Sequence, residues 1–257
     1  MALYMAHADT LRSPETAKHH ALRAGQWMIG HRASDAPAAA RKMIADMRAH
    51  YKPATINRSL GTLKKALTLA YEKGMIPTDY GDKIRRLPEN NARHLYLDIQ
   101  QVKSLADCAS EQVRAAIWIA LLTGCRRGEI LKLTQADIHG KTLRIQAGNT
   151  KTLRERTVPI VPALRPWLKL LPLAINFEGL KTGFRRARED AGLTEITFHD
   201  LRHSCASLLI NMGTRLEVVR DILGHTSVKT TERYAHLSVS HQRDALMGLS
   251  RAVGRVK

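Results

Sequence analysis

Apolar residues recur at helical spacing through the first ninety positions, and a different rhythm takes over near residue 98. Residues 14–29 and 37–51 read as helices, with Ser34 and Asp35 as candidate N-caps and Pro37 suited to a first turn. Thr55 is placed to cap a third helix, residues 56–72, which Gly74 ends. In that helix Ile56, Leu60, Leu63, Leu67 and Tyr71 share one face, while Asn57, Arg58, Lys64, Lys65 and Thr68 fall around the other. Residues 77–88, with Gly81 and the basic pair Arg85 and Arg86, close this helical bundle.

From residue 98 onward the pattern is mixed. Asp98 and Gln101 have capping-box spacing and open a helix through Cys108. Residues 113–123 are almost wholly apolar, which predicts a helix buried on all sides and stopped by Gly124. Alternation over 142–146 and 156–160, around the turn-rich 147–150, predicts a β-hairpin with Lys151 at its turn. Pro159, Pro162, Pro166 and Pro172 punctuate the connection to a basic helix, residues 177–191, that bears Lys181, Arg185, Arg186 and Arg188. Residues 199–210 are amphipathic; Thr214 and Glu217 suggest a capping box for 215–223, which Gly224 stops, and Ser227 can cap a last helix containing Tyr234. The expectation is a mainly α fold with a small β-hairpin or sheet, in two domains. Residues 1–89 form a helical domain, 90–97 a linker, and 98–257 a mixed α+β domain.

Charge narrows the partner. Across 257 residues, 41 Lys and Arg stand against 23 Asp and Glu, a net charge of +18. Before residue 92 there are 15 basic and 8 acidic residues, net +7; the remainder, 26 and 15, gives +11. Both parts being basic points to a polyanion tracked along the whole molecule, nucleic acid first and an anionic membrane second. Cys108, Cys125 and Cys205 show no paired spacing and read as reduced, small hydrophobes. With no signal segment or membrane-length apolar run, the expected location is the cytoplasm.

The residues with chemistry to offer are Arg126, Lys151, His199, Arg202, His225 and Tyr234. A phenol has an ordinary pKa near 10, so it attacks nothing at neutral pH unless a base or nearby cations favour the phenolate. Two guanidinium groups can clamp the non-bridging oxygens of a phosphodiester under attack. A lysine on a hairpin turn can protonate the leaving 5′-oxygen, and His199 and His225 can bind the phosphate and help with the tyrosine proton. No metal or other cofactor is required. Singly, each has a bland reading: Tyr234 as a half-buried amphipathic residue, with His203 and His236 structural or supporting the groups that act. His199 and His203 have the i, i+4 spacing of metal ligands, but Arg202 between them and the lack of a third ligand argue against a metal site.

Thr123-Gly124-Cys125-Arg126-Arg127-Gly128-Glu129-Ile130 resembles the first arginine motif of the tyrosine recombinase, or phage integrase, family, which usually has Leu where Cys125 stands. Asn149-Thr150-Lys151-Thr152 with Arg156-Thr157-Val158-Pro159-Ile160 is similar to the family's β-hairpin lysine segment. His199-Asp200-Leu201-Arg202-His203-Ser204 resembles its histidine and second-arginine box, and Leu223-Gly224-His225 with Tyr234 its closing motif. The resemblance is strong over 98–236 and weaker over 14–88, where it suggests a core-binding DNA domain.

It implies a site-specific recombinase that cleaves and rejoins DNA through a 3′-phosphotyrosyl link at Tyr234, without metal or ATP. It also implies a clamp of two domains around the crossover site and a Holliday-junction intermediate. A tetramer on synapsed duplexes, from a chain monomeric when free, and an accessory DNA-bending or directionality factor fit the same picture. Glu129 then supports a neighbouring active-site group. Asn57, Arg58, Lys64, Lys65, Arg185 and Arg186 are candidate DNA contacts, and Lys141 competes with Lys151 for the hairpin-lysine role. No arm-binding domain is expected, and the tail after Tyr234 is short. The alternative is a helix-turn-helix regulator, since 214–234 reads as helix, Gly-containing turn, helix. A regulator has no need of Arg126, Lys151 and Arg202.

Overall fold

Apolar stripes at helical spacing assemble the first ninety residues. The computed structural model describes residues 1–89, 95–149 and 155–226 together with Thr231, Tyr234 and Met247. It separates into two units, Met1–Ala92 and Arg93–Lys257. The first contains α1 (Ala2–Asp9), α2 (Pro14–Gly25), α3 (Ala36–Met47) and α4 (Pro53–Glu72). Ile56, Leu60, Leu63 and Leu67 of α4 meet Ala40, Met43 and Met47 of α3 in the main core of this unit.

Several local expectations change. Helix α1 was not foreseen; it is apolar at most positions and carries no stripe, yet Tyr4 and Ala8, one turn apart, pack with Ala21 and Ala66. That second contact buries Ser59, Thr62 and Ala66 as well, so α4 is covered on more than its predicted face. Tyr71, assigned to the apolar face, is exposed. Helix α4 begins at Pro53 rather than after Thr55, since Pro fits the first turn, where no amide hydrogen is needed. Asp35 does not cap α3; its carboxylate reaches back to the Arg32 amide at 3.0 Å and closes a preceding 3₁₀ turn.

The second unit contains α5 (Ile99–Asp107), α6 (Glu111–Thr123), the one-turn α7 (Arg127–Ile130), strands β1 (Ile138–His139), β2 (Thr142–Ile145) and β3 (Arg156–Pro159), then α8 (Arg165–Leu168), α9 (Phe177–Asp190), α10 (Asp200–Asn211) and α11 (Leu216–Leu223). The Asp98–Gln101 box opens α5 through reciprocal bonds of 2.8 and 3.0 Å. Helix α6 is the hub: Val113, Ala116, Ile117, Ile119 and Ala120 are buried against α5, α8, α9 and α10. Leu97, read as the end of a linker, belongs to this core and its amide donates to Ser204 Oγ at 2.8 Å. Thr214 forms no side-chain cap; α11 starts after Arg215 and its stop at Gly224 is in the left-handed region.

The sheet has three antiparallel strands in the order β1-β2-β3, one more than the expected hairpin. β1, only two residues long, is too short to show an alternation. Register pairs Leu143 with Val158 and Ile145 with Arg156. Because side chains alternate across a strand, this register puts Arg156 on the same inward face as Val158. A guanidinium is thereby carried into the unit's interior, where it needs a partner.

Candidate active site

Helix α6 ends at Gly124, whose φ of 65° turns the chain in the left-handed conformation that glycine adopts without strain. A Cβ there would come within 2.4 Å of Leu223 Cδ2, so the turn also fits tightly against α11. The turn delivers Arg126 to the start of α7. Glu129, at the third position of that single turn, accepts from the Arg126 amide at 3.0 Å and from its guanidinium at 2.7 Å. The same carboxylate accepts from Arg156 at 2.8 Å. Glu129 is thus a buried anion tying a local arginine to one from the sheet. Burial by itself would raise the Glu129 carboxyl, but Arg156 and Arg126 outweigh it and hold it below the ordinary carboxylate range.

Arg156 was not singled out from the sequence. Its guanidinium also donates to the Ile222 carbonyl at 3.1 Å, joining the sheet to the end of α11. Its sequence signal is a charged residue at an inward position of an alternating strand.

From α10, Arg202 enters the same cluster. It is 2% exposed and donates through one terminal nitrogen to the Gly124 carbonyl at 2.6 Å. Its other terminal nitrogen is buried and has no hydrogen-bond partner among the described residues. Burial, then the charges of Arg126 and Arg156, push Arg202 down to about 10. It remains a cation at neutral pH, in a place where a cation is costly. Three guanidinium groups facing one carboxylate leave an excess of positive charge that an anion would offset.

His199 is exposed at the start of α10. With Arg126 it lines a cavity of ≈ 340 Å³, completed by Arg127, Gly128, Phe177, Thr197 and Phe198. Arg127 lies over the Phe177 ring at 3.7 Å. One turn further along α10, His203 Nδ1 is hydrogen-bonded to the Tyr234 hydroxyl. Tyr234 itself is 6% exposed, packed with Cys205, Ile210, Val219 and Leu223. His225 Nδ1 is hydrogen-bonded to Thr231 Oγ1 at 2.8 Å. His203, read from the sequence as structural or as a support to the active site, is hydrogen-bonded to the phenol. Its i, i+4 spacing from His199 is visible in the sequence.

The other sequence candidates divide. Lys151, Ser227 and His236 lie outside the described residues. Lys141 is exposed on the β1–β2 turn. Arg185 and Arg186 are exposed on α9, with Arg185 beside Glu189 at 3.3 Å. In the first unit Arg58 is exposed, Lys64 donates to the Ile84 carbonyl at 3.1 Å and Lys65 pairs with Glu72 at 3.7 Å. Asn57, expected on an open polar face, is 5% exposed and corrects that reading. It donates to the Leu87 carbonyl at 2.8 Å and to Glu89 at 2.6 Å, and accepts from the Leu87 amide at 2.8 Å.

Guanidinium groups from a helix turn, a strand and a helix thus gather around one buried carboxylate in a mainly helical unit with a small antiparallel sheet. The phage integrase family model matches residues 85–172 and 174–241. The chain belongs to that family. It is 29% identical over 216 residues to the tyrosine recombinase XerC of Lactobacillus leichmannii, covering 73% of each chain. It is 27% identical over 233 residues to the integrase of Salmonella phage P22, covering 77% of this chain and 60% of that one, so it spans about three-fifths of that relative's length. Among solved structures it is similar to a lambda integrase tetramer bound to a Holliday junction, with a TM-score of 0.67 and 22% identity over 77% of this chain and 64% of that one. Among the described residues no helix is long and apolar enough to cross a membrane.

Proposed function

We propose that this chain cleaves and rejoins DNA strands at a specific site through a 3′-phosphotyrosyl intermediate at Tyr234. The observation that carries the reading is the buried, unpartnered nitrogen of Arg202 in a cluster with excess positive charge. A scissile phosphate supplies the missing acceptor and the missing negative charge, and it gains most in the transition state, where charge concentrates on the non-bridging oxygens. Arg126 and Arg202 clamp those oxygens, Glu129 and Arg156 hold Arg126 in place, and His199 binds the phosphate from the cavity side. The Tyr234 oxygen–phosphorus bond forms as the bond from phosphorus to the 5′-oxygen breaks. Lys151 is the acid assigned to that leaving oxygen. The ester formed is close in energy to the one broken, so a 5′-hydroxyl from another strand reverses the step without ATP or a metal.

The substrate is double-stranded DNA, and by analogy with the lambda integrase tetramer the acting species is a tetramer on two synapsed duplexes. A non-catalytic regulator has no use for a desolvated guanidinium aimed at an anion. To test the reading, the protein is incubated with a duplex carrying its site and a nick that lets the short product diffuse away. A covalent adduct at a 3′-phosphate is expected, and it is absent from Tyr234→Phe. No adduct on a verified site, or one that persists in Tyr234→Phe, overturns the reading. Arg126→Ala and Arg202→Ala are each expected to retain most DNA affinity while cleavage falls by orders of magnitude.

A further inference from the structure

We infer that His203 is the catalytic base that takes the Tyr234 proton as the phenol attacks phosphorus. The inference rests on the strand-cleavage reading above and assigns one of its steps to a residue outside the set read from the sequence. His203 Nδ1 is already hydrogen-bonded to the reacting oxygen, with the two rings 5.8 Å apart between centroids. An imidazole that accepts through Nδ1 is neutral and carries its hydrogen on Nε2, the form able to take a proton.

The Tyr234 ring is buried against Cys205, Ile210, Val219 and Leu223. The His225 Nδ1 is engaged by Thr231. His199 faces the cavity that Arg126 lines, and its ring meets His203 edge-on at 4.8 Å between centroids. The two histidines therefore divide the work along one turn of α10, His199 toward the phosphate and His203 toward the nucleophile. Arg202, the residue before His203, sets the clamp and the base on adjacent positions of one rigid helix.

The step balances without a further reactant. The tyrosine oxygen bonds to phosphorus, the phenolic proton moves to His203 Nδ1, and the 5′-oxygen leaves with a proton from a separate acid. In rejoining, a 5′-hydroxyl attacks phosphorus and the departing tyrosine oxygen recovers its proton from His203.

His203→Asn tests the proton, because the amide oxygen of Asn stands near the place of Nδ1 and accepts a hydrogen bond but no proton. Single-turnover cleavage of the nicked duplex is measured for the unsubstituted chain, His203→Asn and His203→Ala, with DNA affinity measured alongside. Each substrate is made with oxygen and with sulfur at the scissile 5′ position, since a thiolate leaves without needing an acid. Both variants are expected to keep DNA affinity and to cleave about 10²- to 10⁴-fold more slowly, the range of general-base loss, with either leaving atom. Added imidazole is expected to restore part of the His203→Ala rate, which a purely structural role would not allow. Cleavage by His203→Asn at the unsubstituted rate, or its recovery with the sulfur substrate, overturns the proposal. Failure of the strand-cleavage reading shows separately, as no adduct from the unsubstituted chain.

Discussion

Glu129 holds two cations on one carboxylate, and that makes it the residue on which the geometry of the cluster depends. Arg156 is 9% exposed and would keep its charge in the interior if Glu129 were removed. Breaking a buried pair from one side costs about 3–5 kcal/mol, so Glu129→Ala is expected to lower stability by that order, read as a shift in the denaturant midpoint at constant m. The sign of the pH dependence follows from the depressed carboxyl. The contribution is complete above the ordinary carboxylate range and is lost as pH falls through the lower folded value. The stability gap between the two proteins is therefore wide at neutral pH and closes in acid below that range. Arg202 predicts the opposite kind of effect. Its lowered pKa means that the charged form is disfavoured by folding, and a bound anion relieves this. Inorganic phosphate at ten times its Kd is expected to add about 1.4 kcal/mol to the unsubstituted protein by linkage, and to add less to Arg202→Met, as thermal melting would show.

At the scale of elements, the turn between α6 and α7 is where helix geometry becomes site geometry. Gly124 holds a left-handed φ of 65°, and any Cβ meets Leu223 of α11. Gly140, on the β1–β2 turn, has a φ of 60° and nothing within 4 Å of the added atom. The pair separates backbone strain from crowding. Gly140→Ala is expected to cost about 1–2 kcal/mol from the left-handed conformation alone, and Gly124→Ala about 1–3 kcal/mol more from overpacking. Only Gly124→Ala is also expected to slow cleavage, because it displaces the carbonyl that Arg202 donates to. Equal losses of stability in chemical denaturation would show that the Leu223 contact relaxes at no cost.

The same scale explains what could be read from the chain. The α5 cap, the buried α6 and the one-turn spacing of Arg126 from Glu129 are local patterns, each complete within a few residues, so the sequence displays them. Helix α1 has no stripe to display because most of its positions are apolar and its partners come from α2 and α4. Arg156 and His203 were missed as site residues for a related reason. Their partners Glu129 and Tyr234 lie 27 and 31 positions away, and only the packing of β3 and α10 brings them close. Asn57 was misassigned because a polar residue on a helix looks the same whether it faces solvent or holds a returning chain. Its partners, Leu87 and Glu89, are 30 and 32 positions distant.

For the whole molecule, the net charge of +18 is shared by both units, so DNA affinity is expected to carry a steep salt dependence from counterion release. Each phosphate contact removed lowers the slope of log K against log salt by about 1. This turns the polar face of α4 into a measurable claim. Arg58 is exposed, and Lys65 meets Glu72 only at 3.7 Å, so both can turn to a phosphate. Asn57 is uncharged and engaged three times within its own unit. The double variant Arg58→Ala/Lys65→Ala is expected to bind DNA more weakly with a slope smaller by about 2 and unchanged melting. Asn57→Ala is expected to leave the slope alone and to lower the stability of the first unit by about 1–3 kcal/mol, the cost of leaving a buried backbone group without its partner. Titrations over a salt series separate the two: a reduced slope in Asn57→Ala would return that residue to the DNA-facing surface, and an unchanged slope in the double variant would remove Arg58 and Lys65 from it.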